Sequence, residues 1–309
     1  MAKSRMPRVL TVRAFAKINL DLQVLGLRPD GYHELRTTFQ AIALSDTLTF
    51  RKSPGPFRIE CDDPAFPVDR TNLIWKAAER VLRLAGTREA PSGMTVRVQK
   101  NIPMQSGLGG GSSNAAAALR ALCVLWRVPA SAAELHHAAA MIGADVPYFL
   151  EGGTALGFHR GDLLCPLDDI EPSWVVIVVP EFGVSTKDAF GWWDETRRER
   201  QDREEGQDGQ DRRYGKQRRA PVPSAARNVK SSNDLQHVVA KRHPIVSKLV
   251  RTLINEGAFQ ASLSGSGSAV FGLFRRRSDA QAAARRLAGP RTFVTPTLSR
   301  RACQRLAAK

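Results

Sequence analysis

The sequence lacks any apolar run near the roughly 20 residues that cross a bilayer. Its longest candidate, Trp174 to Val179, is strand-sized and β-branched. Lys3, Arg5 and Arg8 have no apolar stretch behind them, so no secretory leader is expected. Cysteine is scarce. Cys61, Cys123, Cys165 and Cys303 are scattered without C-x-x-C spacing, which argues against a disulfide framework or a zinc site. Reduced thiols in a cytoplasm fit better. Acidic residues are outnumbered by basic ones, leaving a net charge of +16. An excess of this kind can serve a nucleic acid, but no RRM, helix-turn-helix or zinc-finger pattern accompanies it. The expectation is therefore a small-molecule substrate rich in phosphate, with neither nucleic acid nor membrane as partner.

Two domains fit 309 residues, and we expect 1–160 and 161–309. Val12, Ala14, Ala16, Ile18, Leu20, Leu22 and Val24 alternate as one face of a half-buried strand. Lys17 and Asn19 share its other face. A turn follows at Pro29-Asp30-Gly31, then mixed strand from Leu35 to Phe50. Helical spacing runs from Asn72 to Ala85, and Met94 to Val98 alternates as a short strand. Ser131 and Glu134 form a capping-box pair for a helix to about Ile142. Strands are expected at 154–159, 174–179, 269–274 and 291–295, and helices at 244–255 and from a Ser278 cap to Leu287. Between about 194 and 226 the chain turns almost wholly to Arg, Glu, Asp, Gln and Gly. So little apolar surface predicts a mobile insertion, with a solvated helix over 195–205 as the competing reading.

The most informative segment is Pro103, Met104, Gln105, Ser106, Gly107, Leu108, Gly109, Gly110, Gly111, Ser112 and Ser113, followed by an alanine-rich helix. Its glycines permit a tight turn, and either Ser112 or Ser113 is a natural N-cap. A glycine loop opening onto a helix N-terminus binds phosphate, because free N–H groups and the helix dipole both favour an anion. No Lys follows the glycines, so this is no Walker A loop. A dinucleotide fingerprint would set its last glycine where Ser112 stands, and lacks its acidic residue.

This loop resembles the second signature of the GHMP kinases, whose loop wraps the phosphates of ATP. Ala16-Lys17-Ile18-Asn19-Leu20 resembles their first motif, and Leu263 to Ser268 their third. Arg28-Pro-Asp-Gly-Tyr-His-Glu-Leu35 and Gly143-Ala-Asp-Val-Pro147 resemble the branch that acts on a cytidine-diphosphate-linked methylerythritol. The resemblance implies an α+β fold: an N-terminal domain like the second domain of ribosomal protein S5, then a ferredoxin-like domain. It implies phosphorylation of the substrate's 2-hydroxyl in the non-mevalonate pathway of isoprenoid precursor biosynthesis, with ATP and Mg²⁺. Lys17 and Asp145 would be catalytic, and Asn19 would bind the erythritol hydroxyls. Tyr32 would stack on the cytosine and His33 hydrogen-bond it, with Thr186 and Phe190 across from them. Asn72 and Lys100 would lie near the adenosine. No Mg²⁺ ligand is assigned beyond a hydroxyl at Ser112 or Ser113. Asn233-Asp234-Leu235 resembles a further element, with Asp234 expected as a helix cap. A monomer or homodimer fits equally.

Overall fold

A computed structural model describes residues 9–211, 233–287 and 291–307. The first half runs β1 (Val9–Leu27), β2 (His33–Pro56), β3 (Arg58–Cys61), α1 (Leu73–Leu84), β4 (Ser92–Gln99), α2 (Gly110–Trp126), α3 (Ala132–Ala140), α4 (Tyr148–Glu151), β5 (Thr154–His159) and β6 (Leu163–Pro166). The second runs β7 (Trp174–Val178), α5 (Thr186–Asp211), α6 (Asp234–Arg242), α7 (Ile245–Asn255), β8 (Gln260–Leu263), β9 (Val270–Phe274), α8 (Arg277–Arg286), β10 (Thr292–Pro296) and α9 (Arg300–Ala307).

The first sheet is ordered β3-β4-β2-β5-β6, with β1 along β2. Its strands are antiparallel except β3 and β4, which are parallel across α1. The second sheet is ordered β10-β7-β9-β8 and antiparallel throughout. Numbered within their own unit these strands read 4-1-3-2, with helices before the second and fourth. That is the ferredoxin-like arrangement.

The long strand β1 is not one alternating face. Register shifts against β2 fall between Phe15 and Ala16 and between Asn19 and Asp21. Val12 and Ala14 therefore pack with α1 and α2, whereas Ala16 and Ile18 pack against the second sheet through Val175, Ile177 and Phe271. Leu22 and Val24 join a third cluster with α6 and α7. The Lys17 and Asn19 face is not solvated either: both residues are buried. Bulges re-aim side chains in this way and recur beside functional sites. The β-branched run of β7 has the opposite explanation, since Val175 and Ile177 face one layer and Val176 and Val178 the other.

Several local expectations change. Residues 194–211 continue the helix α5, in line with the competing reading of a charged helix over 195–205; residues 212–226 lie outside the described residues. Glu195 and Glu199 pair with Arg242 and Lys241 of α6, which gives this polar helix a neighbour. Neither Ser112 nor Ser113 caps α2; its N-cap is Gly109 in the left-handed region at φ 72°. Ser278 lies inside α8, whose N-cap is Arg276. Asn233, not Asp234, caps α6 by accepting from the Leu235 amide. The Asp234 carboxylate instead accepts from the Val24 amide, tying α6 to β1. The capping box of Ser131 and Glu134 is formed as expected. The last helix returns to the first half: α9 packs on β1, with Cys303 against Phe15, Tyr148 and Ala155. All four cysteines are free, and burial pushes the Cys123 and Cys303 thiols up.

Candidate active site

A cleft of about 570 Å³ opens where the two sheets meet. Its lining includes Lys17, Asn19, Asn72, Lys100, the run from Pro103 to Ser112, Asp145, Thr186, Phe190 and the turn Gly265 to Gly267. Residues spread over the whole sequence thus converge on one cavity. Among the expected site residues, Ser113, Tyr32 and His33 stand outside that lining. Ser113 is buried on α2, Tyr32 is exposed, and His33 reaches the cleft through Phe190, on which its ring stacks at 4.7 Å.

Backbone freedom builds the phosphate end. Gly107 and Gly109 both adopt positive φ, and a Cβ on Gly109 would lie 2.6 Å from the Phe149 ring. The loop therefore turns into α2 at a separation only glycine allows. Ser113 N bonds Gly109 O, leaving the amides of Gly110, Gly111 and Ser112, the first turn of a 17-residue helix, without a backbone partner among the described residues. These N–H groups stand at the positive end of the helix dipole, where an anion is stabilised. The third motif braces the loop: Ser264 Oγ donates to Gly107 O at 3.1 Å, and Ala269 N to Ser106 O at 3.0 Å.

At the chemical end, Lys17 Nζ donates to Asn19 Oδ1 at 2.6 Å and lies 3.6 Å from Asp145 Oδ2. Asn19 Nδ2 donates to Thr37 Oγ1 at 2.7 Å, which donates to Asp21 O at 2.6 Å. The amide is thereby oriented with its oxygen towards the ammonium. Burial lowers the Lys17 pKa, and Asp145 opposes that shift by favouring the charged form. Asp145 follows the end of α3 and keeps a third of its side chain exposed to the cleft. The arrangement holds a desolvated cation and an accessible carboxylate within reach of one hydroxyl.

The flanking residues are engaged structurally as well. Asn72 caps α1, accepting from Ile74 N at 2.9 Å. Lys100 pairs with the fully buried Asp46, which also accepts from the amides of Asn101 and Ile102. Sequence reasoning missed Asp46, and it missed Thr37, Phe39, Phe66, Arg160 and Gly161 in the cleft wall. None carried a motif. Gly161 was the one legible signal, as a turn residue at φ 93° that approaches Phe39 and Asp145.

Among the described residues, no three His, Cys, Asp or Glu side chains group to hold a metal, and no helix is long and apolar enough to cross a membrane. Models of the GHMP kinases N-terminal and C-terminal domains match residues 72–153 and 222–290. The 4-diphosphocytidyl-2-C-methyl-D-erythritol kinase of Gloeobacter violaceus is 39% identical over 290 residues, covering 91% of each chain. That of Moorella thermoacetica is 39% identical over 296 residues, covering 94% of this chain and 99% of its own. A crystal structure of a 4-(cytidine 5'-diphospho)-2C-methyl-D-erythritol kinase superposes with a TM-score of 0.70 at 29% identity, over 93% of this chain and 99% of that one. Homoserine kinase from Cytophaga hutchinsonii superposes at 0.63 with 18% identity, over 97% of each chain, and shares the fold. The cleft, the two-sheet architecture and the relatives agree: the chain belongs to the 4-diphosphocytidyl-2-C-methyl-D-erythritol kinases of the GHMP kinase superfamily.

Proposed function

We propose that the chain transfers the γ-phosphoryl group of ATP to the 2-hydroxyl of 4-diphosphocytidyl-2-C-methyl-D-erythritol, a step of the non-mevalonate route to isoprenoid precursors. The observation that carries this reading is that the glycine loop, Lys17, Asp145 and Phe190 all line one cleft. The nucleotide belongs with residues 1–160, and the turn from Gly265 to Gly267 of residues 161–309 closes over its loop.

The acceptor is a tertiary alcohol, crowded and weakly nucleophilic. Asp145 takes its proton or orients it, and needs only the exposed part of its carboxylate to do so. Lys17 faces the same point and stabilises the charge that develops on the alkoxide and the moving phosphoryl group. Being buried and held by Asn19, the ammonium is already in place, so little reorganisation accompanies the reaction. The first-turn amides of α2 hold the phosphates. Asn19 and Thr186 extend towards the acceptor's remaining hydroxyls. Mg²⁺ suits this donor set, since the ion takes few protein ligands and keeps several waters. The Ser112 hydroxyl, which lines the cleft, and the nucleotide phosphates would hold it. When bound, it neutralises phosphate charge.

A coupled assay of ADP release tests the reading. Turnover is expected with 4-diphosphocytidyl-2-C-methyl-D-erythritol and hardly any with mevalonate or homoserine. Equal turnover of homoserine would overturn the substrate assignment.

A further inference from the structure

His33, at the start of β2, has a side chain only 9% exposed. Residues of α5 enclose its ring. Phe190 stacks on it at 4.7 Å and 21°, Trp193 meets it edge-on at 5.6 Å and 89°, and Asp194 Oδ1 lies 2.9 Å from Nε2. That is the one side-chain hydrogen bond the ring makes among the described residues. A carboxylate only accepts, so Nε2 carries the proton; in the neutral imidazole Nδ1 is then a bare acceptor. Asp194 does not line the cleft, whereas Phe190, against the same ring, does.

We propose that Asp194 is a positioning residue: it fixes His33 as the Nε2–H tautomer, and thereby makes the site select cytosine over uracil. The inference rests on the proposed function, in which His33 hydrogen-bonds the base. The exocyclic amino group of cytosine donates, and so matches an accepting Nδ1. Uracil has a carbonyl oxygen at that position, which would set lone pair against lone pair. A site built around one hydrogen bond discriminates strongly against the analogue that cannot make it. The first turns of the charged helix α5 then have a function in specificity, and Asp194 acts through His33 without touching substrate.

The test uses the full chain with ATP, the cytidylyl substrate and its uridylyl analogue. Nitrogen-15 shifts of His33 at about pH 8, above the ordinary imidazole range, report the tautomer directly. A bare Nδ1 and a protonated Nε2 are expected. Asp194→Ala is expected to raise the cytidylyl-substrate KM about tenfold and to cut the cytosine-over-uracil preference by a similar factor, with the ATP KM unchanged. Asp194→Glu is expected to regain part of both. A protonated Nδ1 in the wild-type protein overturns the proposal, even where Asp194→Ala does not fold. So does an unaltered base preference in Asp194→Ala, which would leave Asp194 a purely structural contact. If wild-type protein turns over neither substrate, the proposed function itself fails. If it takes both equally while the tautomer is as expected, only the specificity inference fails.

Discussion

The Lys17 ammonium lies 3.6 Å from the Asp145 carboxylate, the lysine side chain 4% exposed and the aspartate 34%. The asymmetry assigns different work to each. The lysine is locked by Asn19 and cannot swing out; the carboxylate faces the cleft and is free to meet a hydroxyl.

Asp145→Asn keeps the shape and removes the charge and most of the basicity. A fall in kcat of about 10²–10⁴ is expected, with the ATP KM nearly unchanged because α2 binds the phosphates independently. Lys17→Met should also depress kcat, and the double variant should lose less than the sum of both effects, as groups acting together do. Retained kcat with markedly earlier melting in Asp145→Asn would make Asp145 a structural cap.

Lys17 also carries a stability prediction. Its folded pKa is lowered, burial being the larger influence. The unfolded chain therefore holds the proton more tightly. Below the folded pKa the buried charge weakens the fold in full, and that cost fades as pH rises towards about 10.4, the unfolded value. Lys17→Met should melt at or above the wild-type temperature at neutral pH, with the gap narrowing as pH rises through this window. A variant several degrees less stable at neutral pH, with a constant gap, would show that the ammonium is net stabilising.

The phosphate loop, Lys17, Asn19 and Asp145 were legible because each sits in a compact motif whose chemistry is local. The faces of β1 were not, because two register shifts against β2 divide one apparent stripe among three packing layers. The serines after the triple glycine read as caps, yet Gly109 at positive φ takes that role and moves the helix start forward. Over 195–205 composition left a mobile insertion and a solvated helix as competing readings. Composition could not reveal that α6 would lie alongside and offer Arg242 and Lys241 to Glu195 and Glu199. Asp46 was invisible for a similar reason: its partners Lys100, Asn101 and Ile102 are more than fifty residues away.

Tyr32 is 54% exposed, with the Arg160 guanidinium 5.0 Å from its ring centroid. An aromatic ring so open has little structural reason for its position, and a base supplies one. Tyr32→Ala should raise the cytidylyl-substrate KM about three- to tenfold and leave the ATP KM and the melting temperature nearly unchanged. Damage confined to ATP binding would mean that the turn serves the other end of the cleft.

Gly107 is a position where the two halves meet closely. It adopts φ 76°, and a Cβ there would lie 2.0 Å from the carbonyl oxygen of Ser264. The obstructing atom is backbone, held in turn by Gly267 N donating to the same oxygen at 2.9 Å, so it has no rotamer by which to escape. Gly107→Ala therefore combines a left-handed penalty of about 1–2 kcal/mol with a clash that must push loop and turn apart. A melting temperature lower by at least about 4 °C is expected, together with a raised ATP KM as the α2 amides shift. Gly111→Ala is the control for stability, because its added Cβ would meet nothing nearer than Leu73 Cδ1 at 3.8 Å and its φ is ordinary. That variant should melt within about 1 °C of the wild type or above it, as an alanine in a first helical turn allows. If Gly107→Ala melts with Gly111→Ala, the contact between Gly107 and Ser264 is not the seam that joins the halves.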